Sequence, residues 1–395
     1  MSTETEERPR VFLNSVHLKG FKSIEDLAID LKKGLNILIG KNGAGKSNFM
    51  EAIDLIIRSK GQSKIPYKYA QIEIISEDNQ SFIVEREREV HLKIEKENLS
   101  DKLDVIEKIT INGEVAFDNS NNEDLKRRFS FKNKRLSYGG NLAGLFIRLG
   151  YKPVFTSYIK FNIPDDLEAV DVPGTLKFNT GDEYAEWKVE TMSFVNDIFW
   201  NLENLYYDED QAKKLTIEDF NNQIELQDAI VTNLARFTNI ENLRFNTNIN
   251  IYSTEKFSFF ENIKLEFKVN GNWLPWSQLS DGTQRLFYII AEVTNATGQV
   301  LIEEPELGIH PHQFNLLMDF LKEQSEDKQI IISTHSPKAL DHLSPEELDH
   351  ILIAYYDLDK GTQIRHLSDK EIKKAQRYMK EVGYFSDYWM YSDLE

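Results

Sequence analysis

Eight consecutive residues, Gly40-Lys41-Asn42-Gly43-Ala44-Gly45-Lys46-Ser47, fill every fixed position of the pattern G-x-x-x-x-G-K-[ST]. In such a loop the backbone N–H groups of Gly40, Asn42, Gly43, Ala44 and Gly45 can close around phosphate oxygens, and a following helix adds the positive end of its dipole. Lys46 is expected to reach β- and γ-phosphates, and Ser47 to ligate Mg²⁺. A second group, Val300-Leu301-Ile302-Glu303-Glu304-Pro305-Glu306, is an apolar strand ending in paired carboxylates. At the end of a parallel strand, Glu303 can orient Mg²⁺ directly or through water, while Glu304 can polarise an attacking water. Two further strings have open readings. Ser280 and the Gly282 backbone, in Leu279-Ser280-Asp281-Gly282-Thr283-Gln284-Arg285, either cap a helix or bind an anion at its N-terminus. His335, in Ile332-Ser333-Thr334-His335-Ser336-Pro337, is either structural or a hydrogen-bond partner of a γ-phosphate.

The elements needed to position these groups are legible around them. Alternation marks strands at 11–18 and 27–31, joined by a Gly20-Phe21-Lys22-Ser23 turn. Leu35-Asn36-Ile37-Leu38-Ile39 runs straight into the glycine loop, and 48–57 has helical apolar spacing, so strand, loop and helix follow in the required order. From about 60 to 269 the pattern changes to irregular strands (72–75, 82–89, 109–117, 154–161) and then to helical stretches between about 182 and 236 that include Trp187. The run Glu85-Arg86-Glu87-Arg88-Glu89 reads as a strand with one charge sign on each face and at least one solvated edge. Beyond 269 the β/α alternation returns: helix from Leu279 to Ala291, strand 300–302, helix 311–324, strand 329–332, a hairpin of 351–356 with 363–366, and a last helix over 368–382. The expected organisation is therefore a head split into 1–60 and 270–395 around an inserted lobe, 61–269.

Composition narrows the class. The 395 residues exceed one ordinary core, and 41% hydrophobic and 11% aromatic content belong to a folded globular protein. Without cysteines, an apolar leader or any run near the ~20 residues of a membrane span, a cytoplasmic protein with no membrane contact is expected. The net charge of −18 confines any nucleic-acid binding to a local patch or a partner. The best patch is Lys126-Arg127-Arg128-Phe129-Ser130-Phe131-Lys132-Asn133-Lys134-Arg135, whose basic residues Lys126, Arg127, Arg128, Lys132, Lys134 and Arg135 alternate with aromatic ones. It suits DNA or RNA, an acidic partner protein, or simply a solvated loop.

Taken together, the four strings resemble the ABC-type ATPase heads of the SMC, RecF and OLD families, most closely the compact bacterial ATPases akin to OLD proteins and to PtuA of the Septu defence system. The resemblance rests on Leu18-Lys19-Gly20-Phe21-Lys22-Ser23-Ile24, on 39–48, and on the segments around Ser280, Glu303 and His335, and covers about 11–57 and 270–395. It implies an α/β fold, a P-loop NTPase head of ABC type with a mixed or parallel sheet core and an inserted α+β lobe. It also implies a head-to-head homodimer or higher oligomer with ATP and Mg²⁺ at the interface, Ser280 acting in trans on ATP held by the partner's Lys46. Glu304 would be the general base, Glu303 the Walker B acid and His335 the switch histidine; Lys22 and Asn48 join the nucleotide contacts. Two positions depart from the family pattern. Glu303 stands where Asp is usual, which points to water-mediated metal contact and slow turnover. The stretch Phe161-Asn162-Ile163-Pro164-Asp165-Asp166-Leu167 looks like the Q-loop region of RecF-like heads without its glutamine.

OLD proteins carry a C-terminal Toprim nuclease, and the roughly 60 residues after His335 are too few for one, so no nuclease is expected here. Asp357-Leu358-Asp359 imitates a metal-binding pair but sits before Lys360-Gly361 between two strands and reads as a hairpin turn. The resulting expectation is an ATPase whose ATP-dependent dimerisation gates a separately encoded effector, a nuclease or toxin, in anti-phage defence. The alternative is a RecF- or SMC-like clamp that grips DNA when ATP closes the heads.

Overall fold

A computed structural model describes residues 8–58, 65–95, 98–120, 128–131, 134–137, 142–154, 156–160, 174–179, 185–187, 228–253, 257–392 and 394. They fall into two compact units: Met1–Ile159 with Ala296–Pro305 and Leu321–Glu395, and Lys160–Asn295 with Glu306–Phe320.

The first unit is built on one sheet. Numbering strands in chain order, its parallel part is β10 (Thr156–Ile159), β18 (Gln299–Glu303), β19 (Ile330–Thr334), β3 (Leu35–Ile39) and β20 (Ile351–Asp357), side by side in that order. The inner strands are rich in Ile, Leu and Val, and β3 and β19 are buried at every position, as expected of parallel strands covered on both faces. Helix α1 (Lys46–Arg58) follows β3 and buries Phe49, Met50, Ala52, Ile53, Ile56 and Ile57, one face at helical spacing.

From β20 onward the sheet is antiparallel: β21 (Gly361–His366), β2 (Ile24–Asp30), β1 (Val11–Phe21), β4 (Tyr69–Ser76), β5 (Ser81–Glu95), β6 (Asn98–Ile111) and β7 (Glu114–Asp118). The β20–β21 turn is closed by Asp357, whose Oδ1 accepts the N–H groups of Asp359 and Lys360 at 2.9 Å each, so the Asp-x-Asp string is a turn. Strand β4 alternates strictly between buried and half-buried residues. On β5 the charges segregate by face as expected, but the arginine face is the buried one: Arg86 is 2% exposed. Its Nε donates to Glu107 at 2.7 Å, and its guanidinium also donates to the Ile56 carbonyl in the last turn of α1, capping that helix with positive charge. Helix α2 (Leu142–Leu149) buries Phe146 against the rings of Phe82 and Tyr151.

In the second unit, β11 (Gly174–Asn179), β12 (Ala185–Trp187), β14 (Asn250–Ser253) and β15 (Phe257–Ile263) form one antiparallel sheet, and β13 (Ile240–Phe245), β16 (Leu265–Val269) and β17 (Asn272–Pro275) another. Strands β8 (Arg128–Phe131) and β9 (Lys134–Ser137) pair separately in the first unit. The second unit's helices are α3 (Asp228–Phe237), α4 (Asp281–Asn295) and most of α5 (Pro311–Gln324), with Phe267, Trp276 and Phe287 forming an aromatic cluster. Helices α6 (Asp369–Glu381) and α7 (Phe385–Tyr391) close the first unit.

Two sequence expectations differ here. The boundary expected at residue 61 moves to 160, because β4 hydrogen-bonds along β1 and carries the head's own sheet out through β7. The head expected to resume at residue 270 resumes later, since β17 and α4 group with the second unit. Trp187, expected in a helix, ends β12, paired with Leu176 across the ladder; most of the remaining 182–236 stretch lies outside the described residues. Among the described residues no helix is long and apolar enough to cross a membrane.

Candidate nucleotide site

The glycine loop leaves the end of β3 and enters α1 at Lys46. Asn42, Gly43 and Ser47 are exposed, while Ala44 is buried and its N–H donates to Lys41 O at 3.2 Å. Gly45 cannot be another residue: its φ is +91°, and a Cβ there would lie 1.9 Å from Thr362 Oγ1. Thr362, fully buried on β21, also bonds Ser23 Oγ at 2.7 Å, and Ser23 Oγ accepts the amide of Asn48 at 2.7 Å. The loop is thus seated from below by the β1–β2 turn and β21. Asn48 spends its side chain on that seat, and the Lys22 ammonium pairs with Glu51 at 2.5 Å.

Three strand ends converge on Lys46, which is 5% exposed. Its ammonium donates to the carbonyls of Gly40 (2.6 Å) and Lys41 (3.2 Å) and lies 3.2 Å from Nδ1 of His335, just beyond β19. An ammonium only donates, so Nδ1 is the acceptor and Nε2 carries the proton. That Nε2 is 2.9 Å from Oε1 of Glu304, just beyond β18. Lysine, imidazole and carboxylate therefore form one hydrogen-bonded line across the ends of β3, β19 and β18. Glu304 is also held by its backbone: its N–H donates to Ser333 O at 2.8 Å, and its φ is +46°, a left-handed conformation unusual for a side chain of this size.

Glu303 ends β18 and accepts a short hydrogen bond from the hydroxyl of Tyr158 on β10. Burial, and then the neighbouring carboxylate of Glu303, hold the Tyr158 phenol well above its ordinary range, so it stays a donor. Strand β10 is itself tied to α1: the Thr156 hydroxyl donates to Asp54, and Arg58 bonds both Asp54 (2.7 Å) and the Thr156 carbonyl (3.1 Å). Sequence reading passed over Tyr158. A polar aromatic tip in a short apolar strand is a weak signal, and nothing local tells that this strand lies beside β18. For Mg²⁺, the Ser47 hydroxyl and the Glu303 carboxylate are oxygen donors of the hard type this ion takes.

Ser280 and Gly282 belong to the second unit. There Ser280 does cap α4: its Oγ accepts the Thr283 N–H at 3.3 Å and lies 2.9 Å from Thr283 Oγ1. Gly282 lets the helix start approach residue 308, since a Cβ would come 2.7 Å from Gly308 O. Of the basic segment, Lys126, Arg127 and Lys132 lie outside the described residues, as does the 161–167 stretch; backbone pairing sets Arg128 opposite Ser137, Arg135 opposite Ser130 and Lys134 opposite Phe131 in the β8–β9 ladder.

Comparison with known proteins bears on the family and the fold. A family model described as AAA domain, putative AbiEii toxin, Type IV TA system, matches residues 35–341. An ATP/GTP phosphatase of Helicobacter pylori is 24% identical over 358 residues, 84% of this chain and 87% of that protein. Endonuclease GajA of Bacillus cereus is 23% identical over 408 residues, 94% of this chain but 61% of its own length. Among solved structures, an Smc head bound to the C-winged helix domain of ScpA superposes with a TM-score of 0.50 at 16% identity, covering 92% of this chain and 99% of that one. The fold is accordingly that of an SMC-type head, α/β with a large mixed sheet.

Proposed function

The chain belongs to the family described as AAA domain, putative AbiEii toxin, Type IV TA system, ATPases of the AAA, SMC and OLD type, and on that premise we propose that it binds and slowly hydrolyses ATP in sites completed by a second copy, whose closure gates a separately encoded effector in anti-phage defence. The observation that carries the reading is the line from Lys46 through His335 to Glu304. In the proposed reaction Lys46 and the loop N–H groups neutralise the γ-phosphate, and Glu304 accepts a proton from the attacking water. His335, proton on Nε2, holds that carboxylate in place. Magnesium, when bound by Ser47 and Glu303, would neutralise charge on the β- and γ-oxygens. Ser280 of a second copy would complete the phosphate cradle with its hydroxyl and the adjoining helix start. The gating role draws support from the toxin–antitoxin wording of the family and from similarity to an endonuclease.

Glu304→Gln keeps the shape and removes the base. Turnover is expected to fall by about 10²–10⁴-fold while ATP now holds the protein as a stable dimer in size-exclusion chromatography with light scattering. Unaltered turnover together with an unaltered oligomeric state overturns the proposal. A second reading, an ATP-gated DNA clamp, is favoured by the SMC-type fold and the basic segment. It requires duplex binding that depends on ATP and disappears when Arg128, Lys134 and Arg135 are neutralised.

A further inference from the structure

The parallel strands have a second end. Where β1, β18 and β19 begin, opposite the ends that carry His335 and the two glutamates, the first unit contains a cavity of about 560 Å³, within the usual range for a small-molecule site. Its wall holds four cations, Arg8, Arg10, Lys152 and Lys328, against two carboxylates, Glu77 and Asp327. Arg10 bonds both carboxylates, Glu77 at 2.6 Å and Asp327 at 2.7 Å, and Lys152 and Lys328 add their charge beside Glu77 and Asp327 respectively. A local excess of two positive charges is thus maintained in a chain whose net charge is −18. The remaining wall combines apolar Val11, Phe12, Pro153 and Ala296 with Gly298 and the polar Thr297 and Gln329. We infer that this cavity binds a phosphorylated small molecule, its phosphate set among Arg8, Lys152 and Lys328 and its body against the apolar wall.

The physical case has three parts. Charge and volume match a phosphate dianion with a body of nucleotide or cofactor size. Lys328 is held at a cost: burial first, and then the nearby Lys152 ammonium, push its amine down to about 8 in spite of Asp327. A dianion between the two amines would remove the repulsion and restore the proton. Finally, the position suits an effector more than a substrate. The 296–298 turn is the covalent link from α4 to β18, and β18 ends, roughly 16 Å away at strand rise, in Glu303. A ligand here sits at the root of the strands that carry the nucleotide site and touches none of its groups.

Pyridoxal 5′-phosphate is a direct probe on the full-length protein. Its aldehyde condenses with a neutral lysine amine, releasing water, and borohydride reduces the imine to a stable secondary amine that peptide mass spectrometry locates. Pyridoxal, which lacks the phosphate, closes largely to an internal hemiacetal and labels every lysine more slowly, so exposed lysines set the baseline: near pH 8 the pyridoxal 5′-phosphate-to-pyridoxal rate ratio at Lys328 is expected to exceed theirs by at least about fivefold. Excess inorganic phosphate should slow the labelling of Lys328, Lys152→Ala should abolish most of the preference, and Lys46→Ala should leave it unchanged. The inference is overturned if the rate ratio at Lys328 is no higher than at exposed lysines, if phosphate fails to compete, or if the preference is lost with Lys46, which would assign it to the nucleotide site. Loss of ATP turnover in Glu304→Gln without change in this labelling keeps the two sites separate.

Discussion

In the parallel half of the first unit's sheet, β3 and β19 are buried at every residue, whereas β4 in the antiparallel half buries every second one. Parallel strands end together at one edge, with helices on both faces, so whatever follows them in sequence converges there. That is how Lys46 comes within hydrogen-bonding distance of His335, 289 residues on, and His335 of Glu304, 31 residues before it. Antiparallel strands reverse direction and scatter their ends, and apart from the β1–β2 turn beneath the glycine loop the wing from β1 to β7 contributes packing and one buried ion pair. Most of the chemistry therefore lies at the parallel edge and most of the packing in the wing, the two joined at the contact of Gly45 with Thr362 and through Arg86 at the far end of α1.

Substitutions can break or sharpen that division. Gly45→Val should have the largest effect, because it adds bulk against Thr362 at a left-handed position where the two halves meet. It should abolish binding of a fluorescent ATP analogue and cost more than about 4 kcal/mol in urea unfolding. Arg86→Met strands the Glu107 carboxylate in the wing, and unfolding should show a loss of about 3–5 kcal/mol with turnover per folded molecule unchanged. A fall in turnover would mean that the wing controls the loop through the end of α1. Tyr158→Phe should do the reverse: turnover lower by about tenfold with a higher Mg²⁺ requirement, and stability within about 1 kcal/mol of the parent. If the Mg²⁺ dependence does not move, Tyr158 serves packing alone.

The smallest effect concerns acid. Burial raises the Glu77 carboxyl, but the N–H and guanidinium of Arg10 outweigh it and hold the group below its ordinary 4.5. A depressed carboxylate stabilises fully above that value, and its contribution disappears as pH falls through the lower folded one. Asp26 behaves alike through its hydrogen bond with His17 on β1. Melting temperature should thus begin to fall below about pH 4.5, and Glu77→Gln should flatten that slope while leaving the neutral-pH ATPase rate alone.

Much of the catalytic edge was legible in the sequence because its signals are local. An apolar run into a glycine loop into a helix announces β3, the loop and α1, and the acids and histidine follow their strands directly. What was hidden depends on pairing between distant strands. Thr362 beneath Gly45 and Tyr158 beside Glu303 are set by the order β10, β18, β19, β3, β20, β21, which no local pattern encodes. The alternation of β4 and β5 likewise marks them as strands with one covered face but does not say whose core covers it, which is why they were assigned to the lobe and why the charge pattern alone left open that the arginine face is the buried one.

The backbone at Glu304 has an evolutionary corollary. At φ +46° a glycine would be more comfortable, and Glu304→Gly should stabilise the fold by up to about 1 kcal/mol once the greater freedom of the unfolded glycine is counted. Selection for durability alone would therefore drift toward losing this carboxylate. Its presence at so unfavourable a position is a cost that only a task for the side chain can repay, and a library selected solely for heat resistance should reveal that task by discarding it.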